Sequence, residues 1–385
     1  ILLGMLSAFG PFVTDMYLPS LPAMADYFSA SLPMVQMGLT TSMIGLALGQ
    51  IFFGPLSDKY GRRPLLLVSM LLFIVSTLFC LFAPDIYSFV TLRLIQGIAG
   101  AGGIVISRSV AIDKFSGKEL AKMLAVIGAI NGVAPVAAPV IGGLLTGSVG
   151  WQGIFMILLF IGILLGIGCI RFKESLPAEK RSKTGVWATF RSFGIIVHNR
   201  RYMLYVFQLA FAQGILFAYI ASSPFIIQQH YGFSPFAFSI CFAVNAVAIG
   251  VAAALSVKFR RTENGTLTGC VGMLVFAVLQ MAALYSGCGF WTYELLMFAL
   301  LFMMGLTFTA STTLAMDCER RYAGAASALL GALCFASGGI VSPLVGLGDI
   351  LISTGVTFVI CAVCSLLCAL WAVKRTGPKV ALCRI

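Results

Sequence analysis

Charged residues are scarce in this chain of 385 residues. They make up 10% of it, while hydrophobic residues make up 60% and the mean hydropathy is +1.02. Soluble globular domains carry about a quarter charged residues, so this composition excludes a water-soluble globule. The apolar runs are continuous rather than alternating, which excludes a membrane β-barrel. The sequence therefore predicts an all-α integral membrane protein.

Residues that bind metals or perform acid–base chemistry are also few. The 2 histidines, His198 and His230, lie in predicted loops, and no cysteine pair lies in a predicted external loop. Cys361, Cys364 and Cys368 share one helix face, but without a histidine or carboxylate nearby they indicate packing. No nucleophile–base pair can be assembled within the apolar runs, so we predict no enzyme, metal, cofactor or disulfide.

Twelve apolar runs are long enough to cross a bilayer, at about 20 residues per crossing. The first run begins at the first residue of the chain, so we expect a short N-terminal tail before it. It is too long for a removable signal peptide. The predicted spans are 1–24, 35–56, 64–83, 88–112, 120–146, 153–171, 202–227, 235–257, 266–286, 291–315, 324–346 and 353–373.

The segments between the spans alternate in charge. The opposite loops hold acids such as Asp26, Asp85 and Asp349, and two arginines, Arg93 and Arg108, fall within the fourth span. This asymmetry places the basic segments and both termini in the cytoplasm, and it accounts for the net charge of +12 without nucleic acid. The remaining 23 of the 25 Lys and Arg lie in 57–63, 113–122, 171–201, 258–263, 317–323 and 374–385.

The longest polar stretch divides the spans into six and six. We predict an N-terminal bundle over 1–170, a linker over 171–201, a C-terminal bundle over 202–373 and a cytoplasmic tail over 374–385. Apolar residues at helical spacing make the linker either an amphipathic surface helix or a plain tether. The halves resemble copies offset by 204 residues, which predicts a parallel repeat with a substrate site between them. The matching pairs are Asp113 with Asp317, Pro139 with Pro343, Gly142 with Gly346 and Gly61 with Gly265.

The loop after the second span carries a long ordered motif. It reads G-x-L-x-D-x-x-G-R-R and begins at Gly54. The motif resembles the signature loop of the major facilitator superfamily, whose fold has two six-helix bundles. In relatives, the acid that corresponds to Asp113 pairs with the arginine that corresponds to Arg62. The resemblance thus predicts a gating loop made of Gly54, Asp58, Gly61, Arg62, Arg63 and Asp113.

Two further motifs narrow the resemblance. Arg93, Gln96 and Gly97 in the fourth span resemble the R-x-x-Q-G motif of proton-coupled members. The fifth span is similar to the antiporter motif G-P-x-x-G-G, with alanine at 134 and 138 where that motif has glycine. Small residues at a spacing of four still permit close helix packing. The predicted packing motif consists of Pro135, Pro139, Gly142 and Gly143.

Three segments resemble the bicyclomycin/chloramphenicol-resistance (Bcr/CflA) drug:proton antiporters. They are T-D-M-Y-L-P-S-L-P from position 14, F-A-Y-I-A-S-S-P-F from position 217, and V-N-A from position 244. The resemblance implies a monomeric exporter in the bacterial inner membrane, which exchanges small drug-like molecules for protons and needs no cofactor.

Asp15 is notable on physical grounds alone. It is the only carboxylate well inside an apolar span, about nine residues or ~14 Å from the outer end. A charge there costs at least ~2.5 kcal/mol, so the side chain should face a cavity or a partner. We therefore predict proton coupling at Asp15, tuned by Arg93. The alternatives are a water-facing acid for Asp15, an ion pair or carbonyl clamp for Arg93, and coupling through Asp26 or Glu294 instead.

Aromatic and amide residues supply the rest of a predicted cavity. The 204-residue offset maps Asp15 onto Tyr219, a neutral hydrogen-bonding group. Helix packing or lipid contact is at least as good an explanation for Asn131, Gln208, Gln213, Asn245 and Phe308. The cavity candidates are Tyr17, Asn131, Gln208, Gln213, Tyr219, Ser223, Phe225, Asn245 and Phe308.

Two other functions remain open at this point. A symporter or exporter of a metabolite could use the same fold, although the span-five motif favours antiport. A membrane-embedded enzyme would need catalytic groups, and a receptor would need a sizeable external or signalling domain, so both are remote. Fold alone does not identify a substrate.

Overall fold

The structure, a computed structural model, describes residues 2–177, 179, 181, 193–319 and 323–374, with backbone alone at several positions between 117 and 132 and at 323–324. All the regular elements in these ranges are helical, as the sequence predicts. The helices are α1 (Leu2–Asp15), α2 (Leu21–Tyr27), α3 (Leu32–Tyr60), α4 (Arg62–Leu81), α5 (Ile86–Lys114), α6 (Gly117–Ile170), α7 (Arg200–Phe225), α8 (Pro235–Ser256), α9 (Thr262–Tyr285), α10 (Phe290–Cys318), α11 (Ala323–Leu344) and α12 (Ile350–Lys374).

Ten helices within the described ranges are long and apolar enough to cross a membrane. Two features explain the difference from the twelve predicted spans. The first predicted span, 1–24, is not a single helix, because α1 ends at Asp15, a short 3-10 helix follows at Leu18–Ser20, and α2 begins at Leu21. The fifth and sixth predicted spans merge into the 54-residue α6, which is interrupted by a non-helical backbone at Gly150 (φ 64°). Glycine adopts a positive φ with less strain than residues that carry a Cβ atom.

The predicted surface helix in the linker cannot be compared in full, since residues 182–192 lie outside the described residues. What is described there is an irregular stretch over 171–177 and a short helical segment over 193–197.

Two helix pairs join the halves of the chain. α3 packs against α11. The first arm of α6, which is the part before Gly150, packs against α8. Adding 204 to the bounds of α3 gives 236–264, close to α8, and the same step carries the first arm of α6 onto α11. The offset therefore exchanges the two pairs, which is the arrangement expected of a two-fold repeat.

We call the side where α3, α5, α6 and α12 end the basic face, and the other side the opposite face. The halves touch at the opposite face, where the Gln36 amide donates to the Ala221 carbonyl (3.0 Å) and the Gln228 amide donates to the Pro19 carbonyl (3.0 Å).

The buried apolar residues show how far this closure extends. One large cluster, the shared cluster, draws on both halves, for example Leu18 and Leu21 together with Phe225. Toward the basic face the core divides. One cluster around Leu66 draws on α1, α3, α4, α5 and α6 of the N-terminal half, and another around Tyr202 draws on the C-terminal half and on Ile196 of the linker. Among the described residues, the apolar core thus joins the halves at the opposite face and divides between them toward the basic face.

Candidate substrate cavity and its charged residues

A cavity of about 330 Å³ lies between the two halves. Most of its lining is apolar or aromatic, and volumes of about 300–1,000 Å³ are typical of small-molecule sites. Its polar groups are few. The N-terminal half contributes Thr14 and Asp15, and the C-terminal half contributes Gln213, Tyr219 and Asn245.

Asp15 reaches this cavity because α1 ends there. Pro11 lacks a backbone N–H and weakens the last turns, and the chain leaves the helix at Met16. The Asp15 side chain is 6% exposed, and none of the described ion pairs includes it. A carboxyl so placed can bind a proton or a cationic cargo without first breaking an ion pair.

Arg93 holds the chain on both sides of Asp15. Its Nη2 donates to the Val13 carbonyl (3.0 Å), and its guanidinium lies 4.4 Å from the centre of the Tyr17 ring. It also donates to the Gly38 carbonyl (Nε, 3.4 Å) and to Gln96 Oε1. Arg93 is fully buried, and its described partners are carbonyl, amide and ring groups. This is the geometry of the carbonyl clamp that the sequence left open.

A second carboxylate stands behind the cavity wall. Glu294 lies in the second turn of α10, and its Oε1 accepts a hydrogen bond from Asn245 Nδ2 (2.9 Å). The same Nδ2 donates to the Tyr219 hydroxyl (3.0 Å), whose ring stacks on Phe242 at 5.5 Å. Glu294 Oε2 and Asn245 Oδ1 are buried, and neither has a hydrogen-bond partner among the described residues.

The basic-face loop forms a network within the N-terminal half. Arg62 pairs with Asp58 (2.5 Å) and Asp113 (Nε–Oδ2, 2.9 Å), and it donates to Ser57 Oγ (2.7 Å). Gly61 turns the chain between α3 and α4 at a φ of 102°, a conformation that L side chains rarely adopt. The predicted Arg62–Asp113 pair is therefore present in the structure. Gly54 lies one turn before Asp58 in α3, beside Val105.

Glu174, in the linker, anchors the start of α4. Its carboxylate accepts from the backbone N–H of Arg62 (3.0 Å) and Arg63 (3.1 Å), and from those of Ser175 and Leu176. Burial acts to raise the pKa of Glu174, but these four N–H groups outweigh burial and lower the pKa below its ordinary value. An anion at a helix N-terminus is also favoured by the helix dipole.

Two adjacent glycines of α6 make the closest approaches in the predicted packing motif. Gly142 lies against the Met16 carbonyl and Gly143 against Ser239 of α8, and neither site has room for a Cβ atom. One residue thus contacts the chain just after Asp15, and its neighbour contacts the other half. Pro139 lies one turn before them inside α6, and Pro135 lines the cavity.

Comparison with known proteins decides the family. Residues 3–343 match the Major Facilitator Superfamily. The chain belongs to this superfamily. It is therefore a membrane transporter and not an enzyme, and the resemblance inferred from the loop motif is confirmed.

Superfamily relatives with the most similar sequences span most of the chain. An uncharacterized transporter, YdgK, of Bacillus subtilis is 39% identical over 90% of this chain and 88% of its own length. A bicyclomycin resistance protein homologue of Haemophilus influenzae is 30% identical over 89% and 87%. A chloramphenicol resistance protein of Pseudomonas aeruginosa is 27% identical over 72% and 67%. The relatives thus include drug-resistance transporters, as the three segment resemblances predict.

Solved structures of the superfamily share the fold. A bacterial homologue of the lysosomal transporter Spinster, in an inward-facing and unoccupied conformation, has a TM-score of 0.77 at 18% identity and covers 97% of this chain and 96% of its own. The xylose transporter XylE from E. coli, in a partially occluded inward-open conformation, has a TM-score of 0.74 at 15% identity with the same coverage.

The structure separates the predicted cavity residues of this superfamily member into three groups. Asp15, Gln213, Tyr219, Asn245 and Phe308 line the cavity. The side chain of Asn131 lies outside the described residues. The others are absent from the lining, because their side chains are used in packing: Tyr17 under Arg93, Gln208 against Ser365, and Ser223 and Phe225 in the buried end of α7.

Sequence reasoning missed several cavity and network residues. Phe217, Phe242, Leu301 and Phe335 are among the aromatic and apolar residues of the lining. They carried no signal, because such residues occur throughout the apolar spans. Glu294 did carry a sequence signal, because it is an acid four residues inside the start of α10. Its contact with Asn245 could only be seen in the folded chain.

Proposed function

We propose that this chain exports small drug-like molecules in exchange for protons. The observation that carries the proposal is the cavity between the halves, where an otherwise apolar lining contains the Asp15 carboxyl without an ion-pair partner among the described residues. An apolar cavity of this size suits varied drug-like molecules, and one carboxyl suffices to exchange a proton. The relatives named for bicyclomycin and chloramphenicol resistance support the same function.

In this proposal the proton and the cargo compete at Asp15. Cargo enters the cavity from the basic face, and Asp15 loses its proton as cargo binds. The halves, 1–170 and 202–373, then rock about the cavity with 171–201 as their tether, and the cavity opens at the opposite face. A proton binding to Asp15 there favours release of the cargo. Arg93 keeps the carboxyl at the cavity wall throughout, because it binds the backbone on either side.

The proposed location is the bacterial inner membrane, with the protein acting as a monomer. The basic face and both termini lie in the cytoplasm, as the positive-inside rule requires. The conformation in the structure, closed at the opposite face, is then the one that receives cargo from the cytoplasm.

The test uses purified protein in lipid vesicles with an imposed pH gradient and radiolabelled chloramphenicol as the probe. We expect gradient-driven movement of chloramphenicol by the wild type, and loss of that movement in Asp15→Asn, while binding of this neutral probe weakens little. Asp26→Asn is the matched control, because Asp26 is an exposed aspartate of the same half. Gradient-driven transport that persists undiminished in Asp15→Asn would show that the coupling group is elsewhere.

A further inference from the structure

The C-terminal half contains a buried acid–amide pair that is incomplete as an ion. Glu294 Oε1 accepts from Asn245 Nδ2 at 2.9 Å, which is half of the reciprocal pairing that a carboxylic acid and a primary amide form. The two remaining atoms of that pairing, Glu294 Oε2 and Asn245 Oδ1, are both acceptors, and both are buried without a partner among the described residues. A proton on Oε2 would make it a donor and would satisfy both atoms.

None of the described groups that face Glu294 is a cation that could replace this proton. The titratable groups that face it are Tyr219 from α7, Cys241 from α8 and Tyr293 from α10 itself. α9 carries one charged residue, Glu263, at its far end, and α11 carries none. A buried carboxylate without a paired cation is costly, and protonation is the usual way in which that cost is removed.

We propose that Glu294 is a second proton-binding site, connected to the cavity wall through Asn245 and separate from Asp15. Asn245 and Tyr219 both line the cavity, and the Asn245 amide nitrogen donates to the Tyr219 hydroxyl as well as to Glu294. A change of proton occupancy at Glu294 therefore reaches the cavity directly. Glu294 lies four residues from the start of α10 at the opposite face, a rise of about 6 Å. Asp15 and Glu294 thus stand in different halves, on either side of the same cavity.

The second site builds on the proposed antiport, in which it adds one proton to each cycle. Loss of the Glu294 proton frees the Asn245 oxygen and leaves a negative charge behind the cavity wall. Both changes favour cargo with a hydrogen-bond donor or a positive charge, and reprotonation reverses them. The pair therefore sets the number of protons exchanged per molecule of cargo.

The experiment counts protons without any cargo. Purified protein at about pH 6, where an ordinary glutamate or aspartate is already ionised, is shifted to about pH 9, and the protons released per chain are measured for each variant relative to the wild type. We expect Glu294→Gln to release about one proton fewer than the wild type, and Glu294→Asp to recover most of it. Glu263→Gln, a glutamate at the basic end of α9, is the matched control and should release as many as the wild type.

A second measurement protects against a variant that fails to fold. In Asp15→Asn, the infrared band of protonated carboxyl groups should persist at about pH 6 and disappear on alkalinisation, because Glu294 remains. Equal proton release by the wild type and a folded Glu294→Gln would overturn the proposal, and so would complete loss of the band in Asp15→Asn. Chloramphenicol transport is measured separately. If the wild type does not move it while the proton count stands, the antiport proposal fails and the second proton site remains.

Discussion

Replacing Arg93 tests whether it acts by position or by charge. Its guanidinium donates to two backbone carbonyls, at Val13 and Gly38, and to the Gln96 side chain. Gln96 in turn donates to Thr77 Oγ1 (2.7 Å), so the network links α1, α3, α4 and α5. Both Arg93→Lys and Arg93→Ala remove the planar fork. Arg93→Lys keeps the positive charge, and Arg93→Ala removes it.

The magnitude follows from the buried acceptors that each variant leaves without a donor. Breaking a buried charged network typically costs about 3–5 kcal/mol, so Arg93→Ala should lower the free energy of unfolding by about 4 kcal/mol. A lysine ammonium can reach some of the three acceptors but cannot reproduce the fork. We expect Arg93→Lys to lose about 2 kcal/mol, because at least one carbonyl then lacks its donor.

The assay combines denaturant unfolding of the purified protein with proton-driven chloramphenicol transport as a function of pH. Arg108→Lys on the same helix is the control, since Arg108 is exposed near the basic face and should change stability by less than about 0.5 kcal/mol. If Arg93 acts by position, Arg93→Lys transports poorly at every pH although its charge is kept. Wild-type stability and an unchanged pH profile in Arg93→Lys would refute the clamp.

Two further predictions concern the ends and surfaces of helices. Glu174→Gln should lower the free energy of unfolding by about 1 kcal/mol at neutral pH, since a neutral amide replaces the anion at the start of α4. Because the Glu174 pKa is lowered in the folded chain, its contribution is present above the ordinary glutamate pKa of about 4.3 and is lost as pH falls through the lowered value; a difference between variant and wild type that grows on acidification would contradict this. Gly142→Val should cost about 1–3 kcal/mol by overpacking against Met16, whereas Gly147→Ala in the same arm meets nothing within 4 Å and should be close to neutral; equal unfolding curves for the two would disprove the close approach.

Hydropathy and charge were enough to predict the helical membrane fold. Apolar surface has to face lipid along whole spans, so each crossing leaves a long sequence signal. The helix break after Asp15 left a weaker sequence signal, because the apolar run continues through Met16, Tyr17 and Leu18 although the α-helix ends. Hydropathy measures the length of a run and not its backbone path.

The candidate site was predictable where a residue was rare for its surroundings. Asp15 was found because an acid within a span is costly, and Tyr219 because the offset maps it there. Glu294 was only an alternative coupling group and Glu174 was not predicted at all, because their partners lie 49 and 112 residues away in sequence. Their roles depend on which groups the fold brings to a carboxylate, and single-sequence patterns do not contain that information.

The adjacent glycines of α6 have a mechanical consequence. Successive residues of a helix project about 100° apart, so Gly142 and Gly143 hold the same point of α6 against the chain just after α1 on one side and against α8 on the other. Contacts this close on two sides leave little slack, so we expect this point to act as a pivot. Distances measured across it should change least between conformations, while distances between the basic ends of α6 and α8 change most. In the proposed transport cycle, we expect a small tilt beside Asp15 to give a wide opening at the membrane surface.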